Sequence, residues 1–158
     1  MPMSKQQKKI VTSTSLPPQG ERPSERDVRE EKKKLKNRDE KHILVAEDDA
    51  FLLGMIRRAL SSHSVRVSTA RDGQEAIDVI NKDPPDLLLL DLLMPHVDGY
   101  AVLKFRKDKK LKFPVVVCSN LSDKKNIIRC QEFDVAEYVI KSDMDDDQIW
   151  TVAEKYLQ

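Results

Sequence analysis

The strongest constraint on this chain is a rhythm in which short, uninterrupted apolar runs alternate with segments whose apolar residues recur three and four positions apart. The runs are His42–Ala46 (HILVA), Val65–Thr69 (VRVST), Asp86–Leu90 (DLLLL), Val115–Cys118 (VVVC) and Val135–Ile140 (VAEYVI). Three of them are apolar without polar alternation, as a parallel strand covered on both faces requires. Between and after them lie helical stripes. Phe51, Leu52, Met55, Ile56, Ala59 and Leu60 form the first; Ala76, Ile77, Val79 and Ile80 the second; Tyr100, Val102, Leu103 and Phe105 the third. Ile127, Ile128 and Phe133 form the fourth, and Ile149, Val152, Ala153, Tyr156 and Leu157 the last. This alternation of strand and helix predicts an α/β fold with a parallel sheet and right-handed crossovers. The punctuation agrees: Asp72-Gly73 and Asp83-Pro84-Pro85 read as loops, Asp98-Gly99 opens the third helix, and Ser122 or Asp123 caps the fourth.

The rhythm occupies residues 41–158, and residues 1–40 differ from it in kind. Of 28 Lys/Arg and 27 Asp/Glu, 11 and 7 fall in residues 1–40 (net +4) and 17 and 20 in residues 41–158 (net −3), so the total of +1 is a cancellation. The arm holds Pro2, Pro17, Pro18 and Pro23 and only scattered large apolar residues, too little to offset the entropy of ordering it. A disordered or partly helical tail is expected, with Glu25–Glu40 carrying helix-forming composition but no apolar stripe. A basic tail can bind nucleic acid or acidic lipid. Interspersed acids and missing aromatics favour a solubilising or partner-docking role here, so nucleic acid is not the expected partner.

No apolar run approaches the ~18 residues of a membrane span. The N-terminus lacks the apolar core of ~7–15 residues that marks a secretory signal. Cys118 and Cys130 sit inside apolar segments without metal-ligand spacing, which predicts reduced thiols in a cytoplasmic protein and excludes a disulfide scaffold or zinc finger.

Ligands of open parallel sheets collect beyond the carboxyl ends of the strands. The first strand ends in Glu47-Asp48-Asp49, the third in Asp91, the fourth in Ser119-Asn120 and the fifth in Lys141-Ser142, while the second ends blandly at Thr69-Ala70. Glu47, Asp48 and Asp91 would bring about three negative charges into one crevice, which disfavours their joint ionisation. A divalent cation and one lysine restore balance: −3 + 2 + 1 = 0. All-oxygen ligation suits Mg²⁺, and a metal that polarises phosphoryl oxygens makes one of the carboxylates a plausible nucleophile. Lys141 can then pair with one phosphoryl oxygen while the Ser119 hydroxyl donates to another.

The segments ILVAEDD (43–49), DLLLLDLLMPHVDGY (86–100), PVVVCSN (114–120) and AEYVIKS (136–142) together resemble the receiver domain of two-component response regulators, of the stand-alone chemotaxis type, over about residues 41–158. The resemblance implies a flavodoxin-like, doubly wound five-stranded parallel sheet of order 2-1-3-4-5 with five helices. It implies Asp91 as phospho-acceptor, and Glu47 and Asp48 as the acidic pair that holds Mg²⁺ with Asp91 and the Leu93 backbone carbonyl. Ser119 and Tyr138 match the two switch residues, and Lys141 the lysine of the motif. The donor would be a sensor histidine kinase or a phosphotransfer protein. The receiver would catalyse its own phosphorylation and dephosphorylation rather than turn over outside substrates. Output would pass through the face built from the fourth helix of the domain, the fifth strand and the last helix, or through a phosphorylation-dependent dimer, because about 118 residues plus a 40-residue arm leave no room for an output domain.

Several residues depart from the family pattern. Ser142 follows Lys141 where proline is usual, so that peptide bond is expected to be trans. Asn120 replaces a small residue and narrows access to the site. Leu93 and Leu121 put two apolar side chains beside it, which predicts slow dephosphorylation. A small aspartyl-phosphate phosphatase is the enzymatic alternative, but it needs an acid–base where Leu93 stands. A receiver whose basic tail binds nucleic acid is another. A flavodoxin-like cofactor carrier would need a Ser/Thr/Gly-rich loop in place of EDDAF. Asp49 reads as a helix cap, Asp143 and Asp145–Asp147 as the cap and first turn of the last helix, Tyr138 equally as an edge aromatic, and His42, His63 and His96 as surface groups.

Overall fold

The computed structural model describes residues 22–158. Much of the basic arm, and with it the question of what residues 1–21 bind, lies outside the described residues. The chain divides into two units with the boundary after Leu35.

In the first unit begins helix α1, Glu25–Asp39. Its composition has no apolar stripe, but its start is fixed by a reciprocal cap: Ser24 N–H donates to Asp27 Oδ2 at 3.0 Å and Asp27 N–H to Ser24 Oγ at 3.2 Å. The spacing Ser24-x-x-Asp27 is a capping-box pattern.

The second unit carries the alternation. Its elements are β1 (Lys41–Ala46), α2 (Ala50–Ser61), β2 (Val65–Ala70), α3 (Gly73–Lys82), β3 (Leu87–Leu90), α4 (Gly99–Asp108), β4 (Val115–Ser119), α5 (Lys124–Gln131), β5 (Glu137–Ile140), a single 3₁₀ turn (Lys141–Asp143) and α6 (Asp146–Glu154). All strand pairs are parallel and the order is β2-β1-β3-β4-β5, the flavodoxin-like arrangement. The order reverses at β1 and β3, so the crevice for a ligand opens between their carboxyl ends.

Alternate residues of each strand feed two separate cores. Leu44, Leu88, Leu90, Val115 and Val117 pack with Ala76 and Ile80 of α3, Val102 and Leu103 of α4, and Cys130 of α5. Ile43, Val45, Leu87, Leu89 and Val116 pack with Leu53, Ile56 and Leu60 of α2 and with Ile149, Val152 and Ala153 of α6. With both faces of the central strands covered by apolar cores, the acidic side chains collect beyond the carboxyl ends of the strands, and the site lies there.

Three readings of the sequence need correction. Phe51 does not join the buried stripe of α2; that stripe is Leu53, Ile56 and Leu60, and Phe51 on the opposite side is 79% exposed. Asp72-Gly73 is the start of α3 rather than a loop, with the Asp72 carboxylate accepting from Glu75 N–H. His42 is buried, because β1 begins one residue earlier than the apolar run and places it inside the strand. Its Nε2 lies 2.8 Å from Ser68 Oγ. His63 is half-buried and stacks on Trp150, with centroids 3.6 Å apart, whereas His96 is exposed as expected.

Candidate functional site

Strand register delivers the acids to one place. Ala46 is level with Leu90 across β1 and β3, so Glu47 and Asp91 are the next residues on neighbouring strands. Backbone bonds lock both: Asp91 N–H donates to Ala46 O and Glu47 N–H to Ala70 O, each at 2.9 Å. Ser119 and Ile140 are level across β4 and β5, which places Lys141 just beyond the sheet at the same edge.

The Lys141 ammonium bridges the two buried acids, 2.6 Å from Glu47 Oε2 and 2.8 Å from Asp91 Oδ2. Glu47 is 2% and Asp91 4% exposed, so the lysine is the counter-ion that makes their burial tolerable. Burial pushes the Glu47 carboxyl above its ordinary range, against the opposing pull of the hydrogen bond from Lys141. Burial draws Lys141 down, but its hydrogen bonds to Asp91 and Glu47 outweigh that and hold it above its ordinary value. Glu47, Asp48 and Asp91 each offer a carboxylate oxygen within 4.8 Å of the others, with Asp48 exposed at the mouth. That donor set fits a hard divalent cation. With Lys141 counted, three carboxylates leave −3 + 1 = −2, the charge such an ion cancels.

The neighbouring groups are placed by short local bonds. Asp49 caps α2, accepting from Phe51 and Leu52 N–H, and its own N–H donates to Glu47 Oε1 at 3.1 Å; it is a structural residue. Leu93 N–H donates to Asp91 Oδ1 at 3.2 Å, and its side chain is 59% exposed. Gly99 closes the loop that follows Asp91: a Cβ there would collide with the Asp91 carbonyl oxygen and stand 2.7 Å from Leu92 Cα. Asp145 caps α6 in a capping box with Gln148, and Asp146 and Asp147 form its first turn. No described peptide bond is cis, Lys141–Ser142 included.

Ser119 and Tyr138 meet at the backbone of one residue, Leu121, that sequence reasoning did not single out for this role. Ser119, fully buried, accepts from Leu121 N–H at 3.2 Å through its Oγ, and Tyr138 donates its hydroxyl to the Leu121 carbonyl at 2.6 Å. The residue ending β4 and the aromatic of β5 are thus joined through the β4–α5 connection. Nothing in the sequence could have pointed to a backbone carbonyl as the link. Cys118, wholly enclosed beside the site, has its thiol pushed up to about 12 by burial and is inert.

Fold and site together define an open, doubly wound α/β domain with a buried carboxylate–lysine pocket at the point where strand order reverses. The model of the response regulator receiver domain matches residues 43–153, and the chain belongs to that family, the receivers of two-component signalling. The chain is 33% identical over 100 residues to the probable transcriptional regulator ycf27 of Guillardia theta, a match covering 63% of this chain and 39% of that one. It spans about two fifths of the length of the first curated relatives it matches. Among solved structures, the phosphorylated cyanobacterial phytochrome response regulator RcpA is 31% identical with a TM-score of 0.64, over 73% of this chain and 90% of that one. The Mn²⁺-bound form of response regulator Rcp1 is 26% identical with a TM-score of 0.68, over 75% and 95%. No helix among the described residues is long and apolar enough to cross a membrane.

Proposed function

We propose that this domain is a phospho-acceptor switch in which Asp91 receives a phosphoryl group from a sensor histidine kinase or phosphotransfer protein in a Mg²⁺-dependent reaction. The observation that carries this reading is the Lys141 ammonium held within 2.8 Å of both Glu47 and Asp91, with a third carboxylate at hand. A solved relative described as phosphorylated and another described as Mn²⁺-bound support it.

In the transfer, an Asp91 carboxylate oxygen forms a bond to phosphorus while the bond from phosphorus to the donor's imidazole nitrogen breaks. The electron pair leaves with the imidazole. Mg²⁺, held by Glu47, Asp48, Asp91 and the Leu93 carbonyl, would supply charge neutralisation at the phosphoryl oxygens. Lys141 moves from carboxylate to phosphoryl oxygen as its partner, and the buried Ser119 hydroxyl donates to another. In dephosphorylation a water oxygen attacks phosphorus, releasing inorganic phosphate and restoring the Asp91 carboxylate.

Turning Ser119 toward a phosphoryl group costs its bond from Leu121 N–H, and the Leu121 carbonyl is what Tyr138 holds. Phosphorylation would therefore bias both switch residues at once. The surface affected is α5, β5 and α6, where α5 is anchored by the single buried residue Cys130 and shows Ile128, 58% exposed. A downstream protein bound there is the proposed output. Incubation with a small phosphodonor and Mg²⁺, read by intact mass, tests the core of this function. A gain of one phosphoryl group that disappears in Asp91→Asn and on chelation is expected; no gain with any donor would overturn it.

A further inference from the structure

The outer face of α2 carries two features that the fold of the domain does not use. Gly54 sits in the interior of α2, where glycine is the least favourable residue apart from proline. Gly73 and Gly99 each abut backbone that a Cβ would strike, whereas a Cβ at Gly54 would meet nothing within 4 Å. Nothing inside the domain calls for a missing side chain there. One turn earlier on the same face stands Phe51, at 79% the most exposed of the large apolar side chains described. Spacings of three and four residues align Phe51, Gly54, Arg58 and Ser61 along this face.

The surface around them is concave. A groove of about 320 Å³ lies over Gly54, Arg57, Arg58 and Ser61. A cleft of about 480 Å³ lies between the end of α2 and the start of α6, with the stacked His63 and Trp150 forming part of its wall. Arg58 borders both hollows, so they form one continuous surface. Its charges are divided by helix: Arg57 and Arg58 on α2, Asp146 and Asp147 on α6, all exposed. Among the described residues none of these charged groups takes part in an ion pair.

We propose that this α2–α6 face docks a second copy of the chain. A two-fold axis along the cleft lays α2 of each copy over α6 of the other, which brings Arg58 opposite Asp146 and Asp147 in both directions. Such self-complementarity is what an isologous dimer requires. The notch at Gly54 lets the two backbones approach, and Phe51 supplies a large apolar anchor of the kind that dominates interface energetics. The face shares α6 with the α5–β5–α6 surface proposed for phosphorylation-dependent output but centres on α2 and the first turns of α6, and the inference does not rest on phosphoryl chemistry.

Sedimentation velocity on the full unphosphorylated chain over a concentration series tests this, with fluorescence of Trp150, the chain's sole tryptophan, as a local reporter. A reversible dimer is expected. Gly54→Leu fills the notch and should weaken association by at least ~tenfold, while the better helix former leaves the thermal midpoint unchanged or raised. Arg58→Asp and Asp147→Arg should each weaken it, and the two together in one chain should restore it. A monomer at every concentration overturns the proposal, and so does a dimer indifferent to Gly54→Leu and Arg58→Asp. If the chain is monomeric and Gly54→Leu instead slows phosphotransfer from a histidine kinase while leaving labelling by a small phosphodonor intact, the occupant is the donor and not a second copy.

Discussion

Lys141 Nζ lies 2.8 Å from Asp91 Oδ2, and the same nitrogen lies 2.6 Å from Glu47, so one cation serves two buried carboxylates carried by different strands. The lysine supplies the positive charge that offsets the burial of two carboxyl groups at the end of a covered sheet. It also leaves one unit of negative charge on this pair, which with Asp48 sets up the demand for a divalent ion.

Replacing that lysine separates its two roles. Lys141→Met removes the cation and leaves Glu47 and Asp91 buried without a partner, which should cost on the order of 3 kcal/mol in metal-free urea unfolding. Because the pocket becomes more negative, its affinity for Mg²⁺ should rise, and added Mg²⁺ should recover part of the lost stability. Labelling by a small phosphodonor should fall. A variant that binds Mg²⁺ more weakly than the wild type would contradict the assigned charge balance.

His42 gives stability a pH dependence unrelated to the site. Burial, reinforced by the charge of Arg66, holds its pKa below the ordinary 6.5, with Asp83 pulling the other way. The folded protein therefore refuses a proton that the unfolded chain accepts. Stability is full above 6.5 and is lost as pH falls from there toward the lowered native value, at up to about 1.4 kcal/mol per pH unit. Urea unfolding between pH 7 and pH 5 should show this loss in the wild type; His42→Gln, which can still reach Ser68, should flatten it relative to wild type. Parallel pH profiles for the two proteins would rule it out.

The strands and the acids were legible because both follow from short-range rules. VVVC and LLLL have no place except inside a covered sheet, and Glu47, Asp48, Asp91 and Lys141 stand where such strands end. What escaped depended on neighbours distant in sequence. Phe51 fits a three-four spacing as well as Leu53 does, and only the position of the sheet decides which side is buried. His42 looks like a flanking polar residue until β2 supplies Ser68 beside it. The helix at Glu25 is legible only as helix-forming composition with disorder as its alternative, because the signal that fixes its start is a cap at Ser24 and Asp27 and the apolar periodicity is missing. The link between Ser119 and Tyr138 runs through a main-chain carbonyl, which no side-chain pattern records.

Gly99 should be intolerant of any side chain. Its missing Cβ is what allows α4 to begin against the Asp91 carbonyl and Leu92, and the contact is with backbone that cannot rotate away. Gly99→Ala should destabilise the domain by about 2–3 kcal/mol, the upper part of the usual range for single substitutions, and should slow phosphorylation by displacing Asp91. Gly54→Ala, by contrast, should be neutral or stabilising in the same thermal melts, because its Cβ projects into open space. Equal effects at the two positions would refute this account of the Asp91 loop.

Leu93 and Leu121 bear on how long the phosphoryl group lasts. Leu93 lies two residues beyond Asp91 and is tied to it by its N–H at 3.2 Å, while Leu121 is half-buried, its N–H bonded to Ser119 and its carbonyl to Tyr138. Neither side chain can orient a water or accept its proton. Hydrolysis needs a water in line with the bond to Asp91, so the pair should make the acyl phosphate long-lived. Replacing both, as Leu93→Asn with Leu121→Gln, should shorten the lifetime about tenfold, equivalent to roughly 1.4 kcal/mol of barrier. Loss of label after removal of the phosphodonor gives the rate directly. An unchanged lifetime in the double variant would show that these leucines do not govern access of water to the phosphoryl group.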